Sequence, residues 1–426
     1  MPLIKKSTDW LFLASLSIAL AGLFSIIIVF ARVPFIKEIL PFGDLFRTAL
    51  VIHVDLSQIF WFMCIAIALS LQTVGTDNFI NKIFKKITII SLILISIAPF
   101  NGGLPILSNY VPFIDDNLAF SLSIGLFFTL IILYNLYFLT FSKTIKKDIY
   151  FELQKANQIS ILIAFLTLFL TVYVLKKDFP IGEFYEYIFW GFGHVLQYSY
   201  CFIIMFIWLK FCDYNSNFPK SLKTIIWIHA FFALITLSFF LSPDINIYKN
   251  FYTKSMRLLA IAPCILLILL ILDRENIKLK SETYQSYYLT TSVILFLAGG
   301  FIAFFIKESN TIIPAHYHGS IVAITIAIMG YIFMCFHKEN LIAKNLKIVK
   351  IIPLTYFAGQ FMHISGLALS GGYGALRKSP DSLTNFYAKF WMGIMGMGGL
   401  IAIISGFLFI YVCYIAYRNL IKLRNA

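Results

Sequence analysis

Twelve apolar runs, each near the ~20 residues that a helix needs to cross bilayer hydrocarbon, leave this chain almost no other way to fold. Reading the runs against the polar breaks between them predicts spanning helices near 10–31, 46–72, 84–100, 117–141, 157–175, 185–209, 222–242, 256–272, 286–306, 311–336, 349–370 and 391–416. In hydrocarbon each backbone amide has to be bonded within its own segment, so runs of this length read as helices and not as loops. Of the 426 residues 60% are hydrophobic and only 13% charged, outside the range of a soluble domain. The connections are short, no repeat of fixed period shows itself, and no Pro/Gly/Ser-rich linker divides the chain, so one all-α transmembrane domain over 1–426 is expected. Lys5-Lys6 before an apolar run imitates a signal peptide, but the run from about Trp10 to Phe30 is long enough to span and offers no convincing cleavage site. It is kept as the first helix.

Lysine and arginine gather on the cytoplasmic side of membrane proteins. With the N-terminus inside, 22 of the 34 basic residues fall on inner segments, from Lys5 and Lys6 through Lys143, Lys146, Lys147 and Lys155 to Arg418, Lys422 and Arg424. Both termini are therefore expected in the cytoplasm, and the net charge of +14 reads as a basic inner fringe with no nucleic-acid partner. The six cysteines are scattered, mostly within spans, without C-x-x-C or paired spacing, and read as small apolar packing residues.

The chemistry is carried by histidine. Pro314-Ala315-His316-Tyr317-His318-Gly319 places two imidazoles inside one span. Residues at i and i+2 of a helix point about 200° apart, so His316 and His318 face different neighbours and one helix serves two centres. At a rise of about 1.5 Å per residue, His53, His194, His316, His318 and His363 all fall in one layer, roughly 8–15 Å below the outer surface. A shared plane of five imidazoles points to a cofactor layer more than to scattered packing. His337 stands at an inner helix end beside charge, and His229 lies deeper, roughly 20 Å from the outer end of its span. Neutral imidazole is the common axial ligand of haem iron, so His53 and His318 at equal depth would pair on a low-spin haem, with His316 holding a second haem and His194 facing a further metal.

With these residues in place the chain resembles the heme-copper oxidase superfamily, catalytic subunit I, a twelve-span fold with both termini inside. The local match is strongest over "PAHYHGSIVAITIAIMGYIFM" (314–334), in the tenth span here as in the family. The resemblance implies that His316 binds the high-spin haem and His318 the low-spin haem. "LVIHVDLSQIFWF" in the second span then offers His53 as the other low-spin ligand. "WGFGHVLQYSY" in the sixth is similar to the family's copper-ligand element, which makes His194 the copper candidate and Tyr198, one turn on, the matching tyrosine. "QFMHISGLALSGGYGALRKSPD" resembles the eleventh-helix end, where Arg377 and Lys378 would meet haem propionates.

The departures concern copper and protons. The stretch "SPDINIYKN" (242–250) lacks the family's adjacent histidine pair; "WIHAFF" (227–232) nominates His229 instead, with Ala230 in its neighbour's place and a depth that argues against the alignment. Copper on one or two imidazoles would be weakly held. Leu196 stands where the family has a glutamate, the eighth span lacks its lysine, and Asp55 and Glu186 both sit on the outer side, so no proton pumping is expected. The glycines of "GIMGMGGL" (393–400) read as a helix-packing surface.

The resemblance implies two haems, with copper uncertain, in an oxidase-like subunit of a bacterial inner membrane or equivalent. It would take electrons from cytochrome c or a quinol outside, work with further membrane subunits, and reduce dioxygen. Nitric oxide reduction, or a haem protein without turnover, is the alternative, and a twelve-span secondary transporter is the alternative of another class. The topology is checked with a reporter active only outside the cytoplasm: fusions after residues 116 and 243 are expected to be active, and fusions after 147 and 425 silent.

Overall fold

A computed structural model of the chain describes residues 2–30, 45–75, 78–107, 112–141, 143–144, 148–175, 179–213, 220–279, 283–307, 309–343, 346–377 and 385–425. Its helices are α1 (Pro2–Phe30), α2 (Leu45–Asp55), α3 (Trp61–Ser70), α4 (Asn78–Ile97), α5 (Leu118–Phe141), α6 (Ile149–Val174), α7 (Ile181–Cys212), α8 (Lys220–Ile235), α9 (Ile245–Ser255), α10 (Ile261–Leu272), α11 (Tyr284–Ala303), α12 (Ile312–Lys338), α13 (Ile348–Gly372) and α14 (Phe386–Asn425). Two short antiparallel pairs lie in connections: β1 (Val74–Gly75) with β4 (Lys143–Thr144), and β2 (Leu104–Ile106) with β3 (Phe113–Asp115).

Eleven helices among the described residues are long and apolar enough to cross a membrane. The remaining expected span, 349–370, is the 25-residue α13, whose apolar run is interrupted by Lys350, Gln360 and His363. The protein is therefore an all-α, integral multi-pass membrane protein, as the runs predict.

One expected loop is helical. The eighth span begins at Ile245 and not near 256, and runs through α9 and α10 to Leu272. Hydropathy hides α9 because Asn246, Lys249, Asn250 and Lys254 alternate with apolar residues, yet Tyr248 and Tyr252, one turn apart, are both fully buried. Asp244 caps the segment by accepting from the Asn246 amide at 2.9 Å. The second span is continuous from Phe46 to Ser70 but passes through a π-helical turn, Leu56–Phe60, between α2 and α3.

The chain divides into two compact units, residues 1–203 with 217–269 and residues 204–216 with 270–426. In the first, α1 packs along α2 and α3, α4 against α5, and α6 against α5 and α8. In the second, α11 to α14 pack in succession.

Glycine sets how closely these last helices approach. A Cβ on Gly359 would stand 2.6 Å from the Ala402 amide nitrogen, and one on Gly366 would stand 2.6 Å from the Trp391 carbonyl oxygen. The "GIMGMGGL" surface is thus a core contact at Gly398, where a Cβ would strike the α13 backbone, whereas Gly393 and Gly396 face open space. Gly398→Val is expected to lower the melting temperature in detergent by an amount matching about 1–3 kcal/mol of overpacking, with Gly396→Val near wild type.

Candidate functional site

A backbone carbonyl can only accept, so a histidine whose Nδ1 bonds one carries its proton there and keeps the Nε2 lone pair free. The structure builds the bond from Nδ1 to a carbonyl four times. In the first unit His53 Nδ1 donates to the Ala21 carbonyl of α1 at 2.8 Å, and His194 Nδ1 to the Trp190 carbonyl one turn back on α7 at 2.6 Å. In the second, His316 Nδ1 donates to Gly299 of α11 at 2.8 Å and His363 Nδ1 to Met395 of α14 at 3.1 Å. This is the tautomer and the outer-sphere bond that metal-bound imidazoles use.

In the second unit the expected divergence of the α12 histidines is borne out. His316 turns to α11, whereas the ring of His318 lies 4.9 Å from that of His363 on α13, at 64°. Gly319 and Gly299 let the α11 and α12 backbones touch: a Cβ on Gly319 would stand 2.9 Å from the Gly299 nitrogen. That approach brings the Gly299 carbonyl to His316. Arg377 follows α13, and its guanidinium sits 5.9 Å from the centre of the Tyr317 ring. Lys378 lies outside the described residues.

In the first unit His229 lies against the rings of Tyr198 at 4.9 Å and Phe202 at 5.0 Å, one and two turns beyond His194 on α7. His229 thus lies one to two turns of α7 beyond His194. It is 1% exposed, and neither ring nitrogen makes a hydrogen bond of ordinary geometry, with only a weak approach to the Tyr198 backbone. The Tyr198 hydroxyl donates to the Ser255 carbonyl at the end of α9, at 3.0 Å. α7 begins at Ile181, four residues before the expected start, so His194 lies about 20 Å from its helix end and not the expected nine residues in.

The carboxylates differ. Glu186 pairs with Lys249 of α9 at 2.9 Å. Asp55 is fully buried at the start of the π turn, with both oxygens lacking a hydrogen-bond partner. His337, half-buried at the end of α12, bonds the Tyr284 hydroxyl at 2.9 Å and the Ala343 carbonyl at 3.0 Å.

These residues fit haem better than copper. Neutral imidazoles with a carbonyl on Nδ1 and Nε2 free suit axial ligation, at His53 and His316 above all. Among the described residues no three or more His, Cys, Asp or Glu side chains converge as a metal set, so a three-imidazole copper centre is not assembled. The acceptors Ala21, Gly299 and Met395 were invisible to sequence reasoning, because a carbonyl has no residue type to search for.

No established family model matches the chain. It is 32% identical to the uncharacterized protein RP382 of Rickettsia prowazekii over 484 aligned positions, covering 95% of this chain and 94% of that one. An uncharacterized protein of Aquifex aeolicus is 27% identical over 354 positions, covering 81% and 88%. Among solved structures, a heme-copper terminal oxidase dimer determined by cryo-EM matches with a TM-score of 0.65 at 13% identity, over 98% of this chain and 84% of that one. The fold is thus that of a heme-copper oxidase. Removing the phenol by Tyr198→Phe is expected to cost about 0.5–1.5 kcal/mol, read as a fall of a few degrees in melting temperature, through loss of the bond to Ser255.

Proposed function

The chain belongs to the same family as protein RP382 of Rickettsia prowazekii, and we propose that it is a haem-bearing membrane oxidoreductase, an oxidase-like subunit that passes electrons between two haems. The observation that carries this reading is the repeated bond from histidine Nδ1 to a backbone carbonyl, at His53, His194, His316 and His363. An imidazole needed only for packing has no reason to use the same nitrogen on a backbone carbonyl each time. The oxidase-like fold supports the reading at the level of architecture.

In this proposal His53 and His318 would hold one haem, an assignment resting on their sequence depth, and His316 would hold a second. Bound haem would supply reversible one-electron chemistry at iron and a place for a diatomic gas. The chain's own groups do the rest. Ala21 and Gly299 fix the ring orientation and tautomer of His53 and His316 by accepting their Nδ1 protons. Arg377, with Lys378, provides cations for propionates on the outer side. Tyr198 offers a proton at its hydroxyl, and Asp55 offers a hydrogen-bonding carboxyl two residues from His53.

Dioxygen reduction is the leading chemistry, with electrons from cytochrome c or a quinol outside, further membrane subunits as partners, and a bacterial inner membrane or equivalent as the setting. Copper does not enter this mechanism. The second reading is a haem protein that transfers electrons or binds nitric oxide without reducing dioxygen, and the lack of a converging three-ligand set among the described residues favours it.

A reduced-minus-oxidised spectrum of the purified protein is expected to show low-spin haem, with a second component shifted by carbon monoxide. His53→Ala and His318→Ala should remove the first signal, and His316→Ala the second. A protein without haem absorbance overturns the proposal and leaves secondary transport as the explanation.

A further inference from the structure

Side-chain amides are expensive to bury in a membrane helix, and α6 buries three of them within five residues. Gln154, Asn157 and Gln158 are fully shielded, and neither the oxygen nor the nitrogen of any of the three has a hydrogen-bond partner. The spacing i, i+3, i+4 puts them on one face. The Ser160 hydroxyl, two residues on, is likewise unpartnered. So are the Asn135 amide oxygen on α5, the Ser199 hydroxyl on α7 and both His229 nitrogens on α8. All belong to the first unit.

The register of α6 against α8 is fixed at the lysine-rich end. Glu152 pairs with Lys223 at 2.7 Å and accepts from the Trp227 indole at 3.0 Å, with Lys155 5.9 Å from the centre of the Trp227 ring. Gln158 is six residues beyond Glu152 and His229 six beyond Lys223, so both stand about 9 Å deeper at the same height. The unpartnered groups thus begin at a partly exposed carboxylate and reach a histidine level with the last amide.

The chemistry of the orphaned groups selects what satisfies them. A cation would serve the oxygens and leave the amide N–H groups unbonded; an anion would do the reverse. Only a small ligand that both donates and accepts serves both, and that ligand is water.

We propose that the inner half of α6 is a hydrated lane that carries protons from Glu152 to His229, with Gln154, Asn157, Gln158 and Ser160 holding the water. At each relay an oxygen lone pair takes one proton and an O–H releases another, and the last proton rests on an imidazole nitrogen of His229. No electron moves. Titratable and charged groups on the elements around the lane include Glu152 and Lys155 on α6, Lys223 and His229 on α8, Tyr198 and Cys201 on α7, and Tyr134 and Tyr137 on α5, which packs against α6. The lane uses amides, needs no membrane-embedded lysine or glutamate beyond Glu152, and does not depend on haem. Where the haem reading holds, it deepens that reading by giving the site a proton supply from the inner face.

The test uses the full chain in vesicles. In Asn157→Cys and Gln158→Cys, a charged methanethiosulfonate added at the lysine-rich face is expected to label the new thiol, with Lys155→Cys as the exposed control and Ala164→Cys as the apolar one. Hydrogen–deuterium exchange at the imidazole C2 of His229, read by mass spectrometry, requires both protonation and access to water. It is expected to slow at least tenfold in the double variant Asn157→Leu with Gln158→Leu. These variants exchange unbonded amides for apolar chains of similar size and should fold. Absence of labelling at 157 and 158 while 155 reacts would overturn the lane, and unchanged exchange at His229 in the double variant would overturn its proton-carrying role. Neither readout uses haem, so a protein without haem absorbance sinks the oxidoreductase reading alone.

Discussion

Hydrocarbon offers no hydrogen bonds, and every polar group the chain carries into it has to find a partner from the protein or from water brought along. The histidines of the outer half meet this demand by giving one ring nitrogen to a carbonyl. Such a carbonyl has already satisfied its own helix and uses its second lone pair for the imidazole. The four bonds orient rings and choose a tautomer in the same act. The amides of α6 meet the demand differently, with no protein partner, in one stripe on one helix. The two solutions divide the polar residues into ligand-like and solvent-like sets.

Close helix contact is the means by which the first solution is reached. Gly299 and Gly319 remove the side chains that would hold α11 and α12 apart, and a carbonyl on one then lies within bonding distance of a ring on the other. The α13–α14 crossing repeats the device: Gly398 abuts the backbone of His363, whose ring bonds Met395 three residues earlier on α14. Small residues, usually read as packing aids, act here as spacers that set ligand geometry.

Much of this was legible in the chain. Apolar runs marked the spans, and the i, i+2 offset of His316 and His318 foretold their different neighbours. His229 was set apart from His194, and its ring lies one to two turns further along α7. What failed did so for physical reasons. α9 mixes lysine and asparagine with tyrosine, so its apolar face is too narrow to register as a run. The fifth span was read from 157, whereas α6 begins at Ile149, so Gln154 fell outside and the amide stripe lost its period. The partners of His53, His316 and His363 lie 32, 17 and 32 residues away and are backbone atoms, a contact that no residue pattern encodes. The match to an oxidase at 13% identity shows a fold shared with few side chains in common.

The π turn at Leu56–Phe60 bears on how a change of length is tolerated. A π turn is one residue wound into a helix that would otherwise close a position sooner. Here the Gln58 carbonyl takes the Tyr200 hydroxyl at 2.6 Å, and that of Leu56, which also accepts from the Trp61 amide, takes the Ser17 hydroxyl at 2.7 Å. With the irregularity anchored on α7 and α1, the segment bearing His53 keeps its own rotational phase, independent of the buried run from Trp61 to Ser70. A lineage gaining or losing one residue here would turn His53 by about 100° relative to that run. The turn would thus take up a change of length as a change of angle, and leave the run beyond it in place.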